Sequence, residues 1–159
     1  MDQKKLSWWF RVIIISVGLI GAVVYFFIFP FCGKSIADTY PEYAYAFWPW
    51  LIFLWVTGIP CYIALAYGWN IATSIGEDQS FSLANANRLK KISYLVAGDT
   101  KFFALGNIVL LVLNINHIGI LLISVLIMFV GFAIAIVAAA LSHLVMKAAN
   151  LQEQSDLTI

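Results

Sequence analysis

Long apolar stretches govern what this chain can fold into. Val12–Phe31, VIIISVGLIGAVVYFFIFPF, shows the type: no charge falls between Arg11 and Lys34. About 20 such residues in a helix cross roughly 30 Å of hydrocarbon. Only 11% of the 159 residues are charged and 63% are hydrophobic, against about 25% charged in a soluble domain. The chain therefore reads as a helical membrane protein with room for one compact unit. A net charge of +1 argues against direct binding of nucleic acid.

Four spans are expected, at about 9–31, 47–74, 92–115 and 118–146. The basic start and apolar middle of the first also fit a signal peptide, but no small-x-small cleavage site follows, so an uncleaved anchor is favoured. Residues 33–46 read as a loop, and Tyr40, Tyr43, Tyr45, Trp48 and Trp50 suit the headgroup layer. In span two, Pro60 removes a backbone donor and should kink the helix. Ala64, Gly68 and Ala72 repeat every four residues there, as do Gly131, Ala135 and Ala139 in span four. Both sets predict close-packing seams. Asn114–His117 reads as a tight turn that makes spans three and four antiparallel neighbours, with Asn116 and His117 solvated. Cys32 and Cys61 lie roughly 15 Å apart in depth at about 1.5 Å per residue, too far for a disulfide.

Lys4, Lys5, Arg11, Arg88, Lys90, Lys91 and Lys147 fall on one side of this layout and Lys34 on the other. By the positive-inside rule both termini are cytoplasmic. The connection between spans two and three is then cytoplasmic as well. Gly76 serves as its breaker and Ser80 as N-cap of an amphipathic interfacial helix over about 80–96. Phe81, Leu89, Ile92, Leu95 and Val96 form its apolar stripe. Asn85 in mid-stripe and Arg88 at its edge break the pattern, and they neighbour each other at three-residue spacing. Buried amide and guanidinium groups need partners. One reading has Asn85 bonded to a backbone carbonyl and Arg88 reaching lipid phosphates. The sharper one docks both onto the C-terminal segment LQEQSDLTI, which offers Glu153 and Asp156.

SFSLANANRLKKI together with LQEQSDLTI resembles a bacterial four-span membrane protein family of unknown function, domain-of-unknown-function family 2975. Phe81, Ser82, Asn85, Leu89 and Ile92 match its Phe-Ser-x-x-Asn-x-x-x-Leu-x-x-Ile pattern, and Asp156, Leu157, Thr158 and Ile159 match its terminal motif. Gly98–Lys101 departs from it, since such proteins stay apolar there. Members are often encoded beside a small helix-turn-helix regulator, so the resemblance implies a membrane partner for a transcription factor. It brings no catalytic residues.

The remaining polar groups are few. Asp99 and Lys101 sit in the cytoplasmic third of span three, where an intramembrane charge is a functional candidate. They are two residues apart and do not face each other, so an interfacial cap with a snorkelling lysine competes with a polar relay through His143. No His-x-x-x-His, paired carboxylates or Glu-x-x-His occurs, so no metal site, cofactor or catalytic machinery is expected.

The expectation is an all-α integral membrane four-helix bundle with a cytoplasmic amphipathic interfacial helix between spans two and three. It is not an enzyme. Its expected role is docking a soluble cytoplasmic protein, such as a small helix-turn-helix regulator, through Asn85, Arg88, Lys90, Lys91, Glu153 and Asp156. The alternative is a small oligomeric transporter or channel using Asp99, Lys101 and His143. The bilayer is the expected partner in either case, and a homo-oligomer is compatible with both.

Overall fold

A computed structural model describes residues 2–116 and 118–156, the last of these by its backbone alone. The fold is all-α. Helix α1 (Gln3–Val23) runs through one π-helical turn (Val24–Ile28) into α2 (Phe29–Thr39), forming a single rod of 37 residues. A 3₁₀ segment (Pro41–Ala46) leads into α3 (Phe47–Gly76), followed by α4 (Leu83–Val112) and α5 (Ile118–Asp156). Among the described residues, four helical stretches are long and apolar enough to cross a membrane.

The outside of these helices carries large apolar side chains and the inside mostly small ones. Phe27, Leu122 and Phe129 are exposed, whereas the residues removed from the surface are mostly Ala, Ser, Thr and Asn. Lipid gives large apolar side chains no reason to turn inward, so close approach of backbones through small residues decides the packing.

The helices pack as an open row in the order α1, α3, α4, α5. Among the described residues no Cα of α5 comes within 8 Å of α1 or α3. The expected bundle is therefore open along one edge of α5.

The α4–α5 seam follows a seven-residue period, the repeat of left-handed helix packing. On α4 it uses Ala86, Ser93, Thr100 and Asn107, while Phe103 stacks on Phe53 of α3. On α5 it uses Ser124, Gly131 and Ala138, together with Ala135, Ser142 and Ala149. Polar side chains tie it to backbone: Ser142 Oγ donates to Ala86 O at 2.7 Å and Ser93 Oγ to Ala135 O at 2.8 Å. Thr100 lies against Gly131 so closely that any Cβ there would overlap its hydroxyl. Of the four-residue seam expected on α5, Gly131 and Ala135 take part, while Ala139 faces outward and Ala138 takes its place. On α3 the expected seam meets α1. Gly68 faces Ile14, and buried Ala72 accepts from Ser7 Oγ at 2.6 Å.

The π-helical turn has a sequence cause. In its register the amide of Phe29 bonds Val24 O. The next donor would be Pro30, which has no N–H, so Tyr25 O is left without a helical partner. Trp55 Nε1 from α3 fills the vacancy at 3.0 Å.

Several sequence expectations are revised. Residues 33–39 are helical rather than loop: α2 carries on through Gly33 to Thr39, and Pro41 opens the 3₁₀ segment. The segment 80–96 does not form a helix of its own: α4 is continuous from Leu83 and runs on through Gly98–Lys101. A lone Gly costs a helix only about 1 kcal/mol, less than the packing that holds Thr100 and its neighbours against α5.

Candidate functional site

The basic end of the molecule gathers the start of α1, the α3–α4 connection, the start of α4 and the end of α5. The connection is built on a reversed helix end. Asp78 takes the left-handed conformation (φ 63°), which Asp tolerates better than most residues. Gln79 N donates to Ser74 O and Asp78 N to Ile75 O, the paired bonds of a Schellman ending. The breaker is thus Asp78 and not Gly76, the last helical residue. Ser82 then caps α4, its Oγ accepting from Asn85 N at 3.3 Å. Ser80, the cap expected from sequence, instead sends its hydroxyl to Gln3 Oε1 at 3.3 Å.

Asn85 holds this connection together. It is only 1% exposed. Its Nδ2 donates to Gln79 O at 3.1 Å and Ser80 O at 3.2 Å, and its Oδ1 accepts from Arg88 Nη1 at 2.8 Å. The same Arg88 nitrogen reaches Ser74 Oγ at 2.8 Å on α3 and lies 3.5 Å from Asn70 O. The two pattern-breaking residues are therefore joined, and among the described residues their hydrogen bonds reach α3 and its exit loop. The reason is geometric. The Schellman turn directs the Gln79 and Ser80 carbonyls at α4, and a primary amide is the side chain that can donate to both while accepting from Arg88. Glu153 is exposed. The side chain of Asp156, with Leu157–Ile159 and His117, lies outside the described residues.

A cleft of about 720 Å³ opens beside this node. Its walls are Gln3, the connection from Asp78 to Leu83, and Ala149, Gln152 and Glu153 of α5. Phe81 and Leu83 are 60% and 46% exposed at this rim, in a stretch otherwise rich in polar residues. Lys90 and Lys91 lie on the flank of α4, outside the cleft. Each ammonium rests over a ring: Lys90 Nζ is 5.9 Å from the Tyr94 centroid and Lys91 Nζ is 5.4 Å from that of Tyr67. Arg11 sits similarly, 5.5 Å over Trp69, and reaches Thr73 Oγ1 at 3.4 Å.

The second candidate set is not assembled. Asp99 faces α3, where Cys61 Sγ lies 3.9 Å from Oδ2, while its buried Oδ1 has no hydrogen-bond partner among the described residues. Lys101 and His143 are both exposed.

Sequence reading missed Asn107. It is 1% exposed in α4. Its Nδ2 donates to Phe103 O at 2.9 Å, and its Oδ1 accepts from Ser124 Oγ at 2.9 Å and Asn116 Nδ2 at 3.2 Å. Asn116 therefore joins this node instead of standing in solvent. The signal was present: Ala86, Ser93, Thr100 and Asn107 recur every seven residues, a period hidden by searching for small residues every four.

Both cysteines are free. Among the described residues no group of three or more His, Cys, Asp or Glu could hold a metal ion.

Comparison with known proteins agrees with this architecture. The chain is 29% identical over 151 residues to the uncharacterized membrane protein YoaS of Bacillus subtilis (strain 168), covering 94% of each chain. No solved structure matches it. The family described as protein of unknown function (DUF2975) matches residues 31–159, the residues that hold the α3–α4 node and the paired helices α4 and α5. The chain belongs to that family of membrane proteins of unknown function.

Proposed function

We propose that this is a multi-pass inner-membrane protein with both termini in the cytoplasm, whose basic end docks a soluble cytoplasmic protein. It is not an enzyme in this reading and uses no cofactor. The observation that carries the reading is the cleft. Three separate segments wall it, its polar rim carries Gln152 and Glu153, and Phe81 and Leu83 stand exposed beside it. Aromatic and aliphatic anchors beside a pocket are what a protein partner needs for affinity, and the surrounding polar groups supply register. The concentration of Lys and Arg at this end supports its cytoplasmic placement. The family resemblance favours a small helix-turn-helix regulator as partner, held at the membrane and away from DNA.

The test is co-purification from membranes of cells expressing the tagged full-length chain. Wild type is expected to retain a helix-turn-helix protein, and the double variant Phe81→Ala/Gln152→Lys to lose it while keeping the same melting temperature. Equal retention by both would count against the cleft.

One observation favours a second reading. Asp99 Oδ1 is buried beside Cys61 without a hydrogen-bond partner among the described residues, a placement that suits an intramembrane ion or proton site. In that reading the chain is a small transporter, with copies associating along the open edge of α5. It predicts flux in proteoliposomes that Asp99→Asn abolishes. Lys101 and His143, both turned outward, would then contribute through a neighbouring copy.

A further inference from the structure

A separate groove of about 300 Å³ lies between α3 and α4, lined by Ile63, Tyr67, Lys91, Tyr94 and Leu95. It shares no lining residue with the docking cleft. We propose that it binds one anionic phospholipid of the surrounding bilayer, its phosphate at Lys91 and Lys90 and an acyl chain against Ile63 and Leu95.

Depth comes first. Tyr67 lies nine residues before the end of α3 and Lys91 eight after the start of α4. In antiparallel helices these positions are level. Both lie roughly 12–14 Å in from the helix ends at about 1.5 Å per residue. Ile63 and Leu95 each follow one turn further from the basic end. The groove thus has Lys91 and Tyr67 at its mouth and Tyr94, Leu95 and Ile63 deeper, the order of a phospholipid's headgroup and chain. Trp69, at almost the depth of Tyr67, and Tyr94 are the residue types that settle at the headgroup layer.

Charge complementarity comes second. The Tyr67 and Tyr94 rings lie under the two ammonium groups. An aromatic face satisfies a cation by its quadrupole but accepts few of its N–H bonds. Most of the three donors of each lysine therefore remain for phosphate oxygens. Basic pockets between transmembrane helices at the membrane surface bind acidic headgroups for this reason. A soluble partner is the poorer occupant, because the floor opens sideways into hydrocarbon: Ile63 is 42% exposed and belongs to the apolar belt of α3.

Native mass spectrometry of the full-length chain tests the proposal. The protein is released from mixed micelles holding equal amounts of phosphatidylglycerol and phosphatidylethanolamine with identical acyl chains. Wild type should retain phosphatidylglycerol in preference. Lys90→Gln/Lys91→Gln should weaken that retention by about five-fold per lysine, and Lys90→Arg/Lys91→Arg should restore it. Leu95→Trp, which fills the floor but keeps both charges, should also reduce it. Inorganic phosphate in excess should not displace the lipid, because the chain contributes to binding. Equal retention of the two lipids by wild type would overturn the proposal. So would retention unchanged by the glutamine pair, displacement by phosphate, or a second copy of the chain bound in place of lipid. If Leu95→Trp does not fold, the glutamine pair and its arginine rescue decide the question.

Discussion

Asn85→Ala is the perturbation whose cost the geometry fixes best. The side chain is 1% exposed and makes three bonds: two from Nδ2 to the Gln79 and Ser80 carbonyls, one from Arg88 to Oδ1. A hydrogen bond to a charged group contributes about 1.5–3 kcal/mol, and a neutral one about 0.5–1.5 kcal/mol. The two carbonyls lie in a connection near the surface, where water replaces part of the lost donation, so each is set near the low end. The sum is about 3 kcal/mol. The Ser82 cap uses the backbone amide of residue 85 and survives the change. Asn85→Asp keeps the acceptor for Arg88 but sets a carboxylate oxygen against the two carbonyl oxygens, so it should remain destabilising. The assay is reversible unfolding in mixed detergent micelles followed by far-UV circular dichroism. Arg88→Ala alone and combined with Asn85→Ala completes a cycle whose coupling should reach about 1.5 kcal/mol. An Asn85→Ala protein within about 0.5 kcal/mol of wild type would refute the reasoning, since the carbonyls of the connection would then not depend on the amide.

Gly131→Ala should loosen the α4–α5 pair by about 1–3 kcal/mol, because its Cβ overlaps the Thr100 hydroxyl. Thr100→Ala in the same chain should recover most of that loss, measured by the same unfolding assay. Asn107→Ala should cost about 1–2 kcal/mol, in the range of interhelical polar contacts in membranes, and Ser124→Ala added to it should cost little more, because Asn107 Oδ1 is already gone as its acceptor. Trp55→Phe should cost about 1 kcal/mol by leaving Tyr25 O unpaired. The penalty should shrink in a Pro30→Ala background, where residue 30 regains a backbone donor.

The spans were legible because hydrocarbon imposes a length that apolar runs reveal directly. Their ends were less so. Helix 33–39 has no strong signal of its own, yet α2 carries on through Gly33 to Thr39. Gly98–Lys101 carries a glycine and two charges, yet α4 holds through it because Thr100 is buried against α5. Asn85 and Arg88 stood out as misfits in an apolar stripe, and their pairing followed from three-residue spacing. Their target did not follow, since it depends on where the Asp78 turn sends the Gln79 and Ser80 carbonyls. Lys90 and Lys91 were visible as charges, but the rings beneath them come from different places: Tyr94 from one turn along α4, Tyr67 from another helix. Asp99, Lys101 and His143 looked like one group at similar depth, and rotation about the helix axes separates them. Depth is encoded in sequence position, whereas azimuth emerges only when the helices pack.

Site-specific photocrosslinking in living cells tests the docking role most directly. A photoreactive phenylalanine analogue replaces Phe81 at the cleft in one chain and Leu122, 68% exposed on the apolar face of α5, in another. The account predicts that the position at 81 captures a soluble helix-turn-helix protein and the position at 122 captures lipid or another membrane helix. Crosslinks at 81 to lipid alone, or the same soluble protein at both positions, would contradict it.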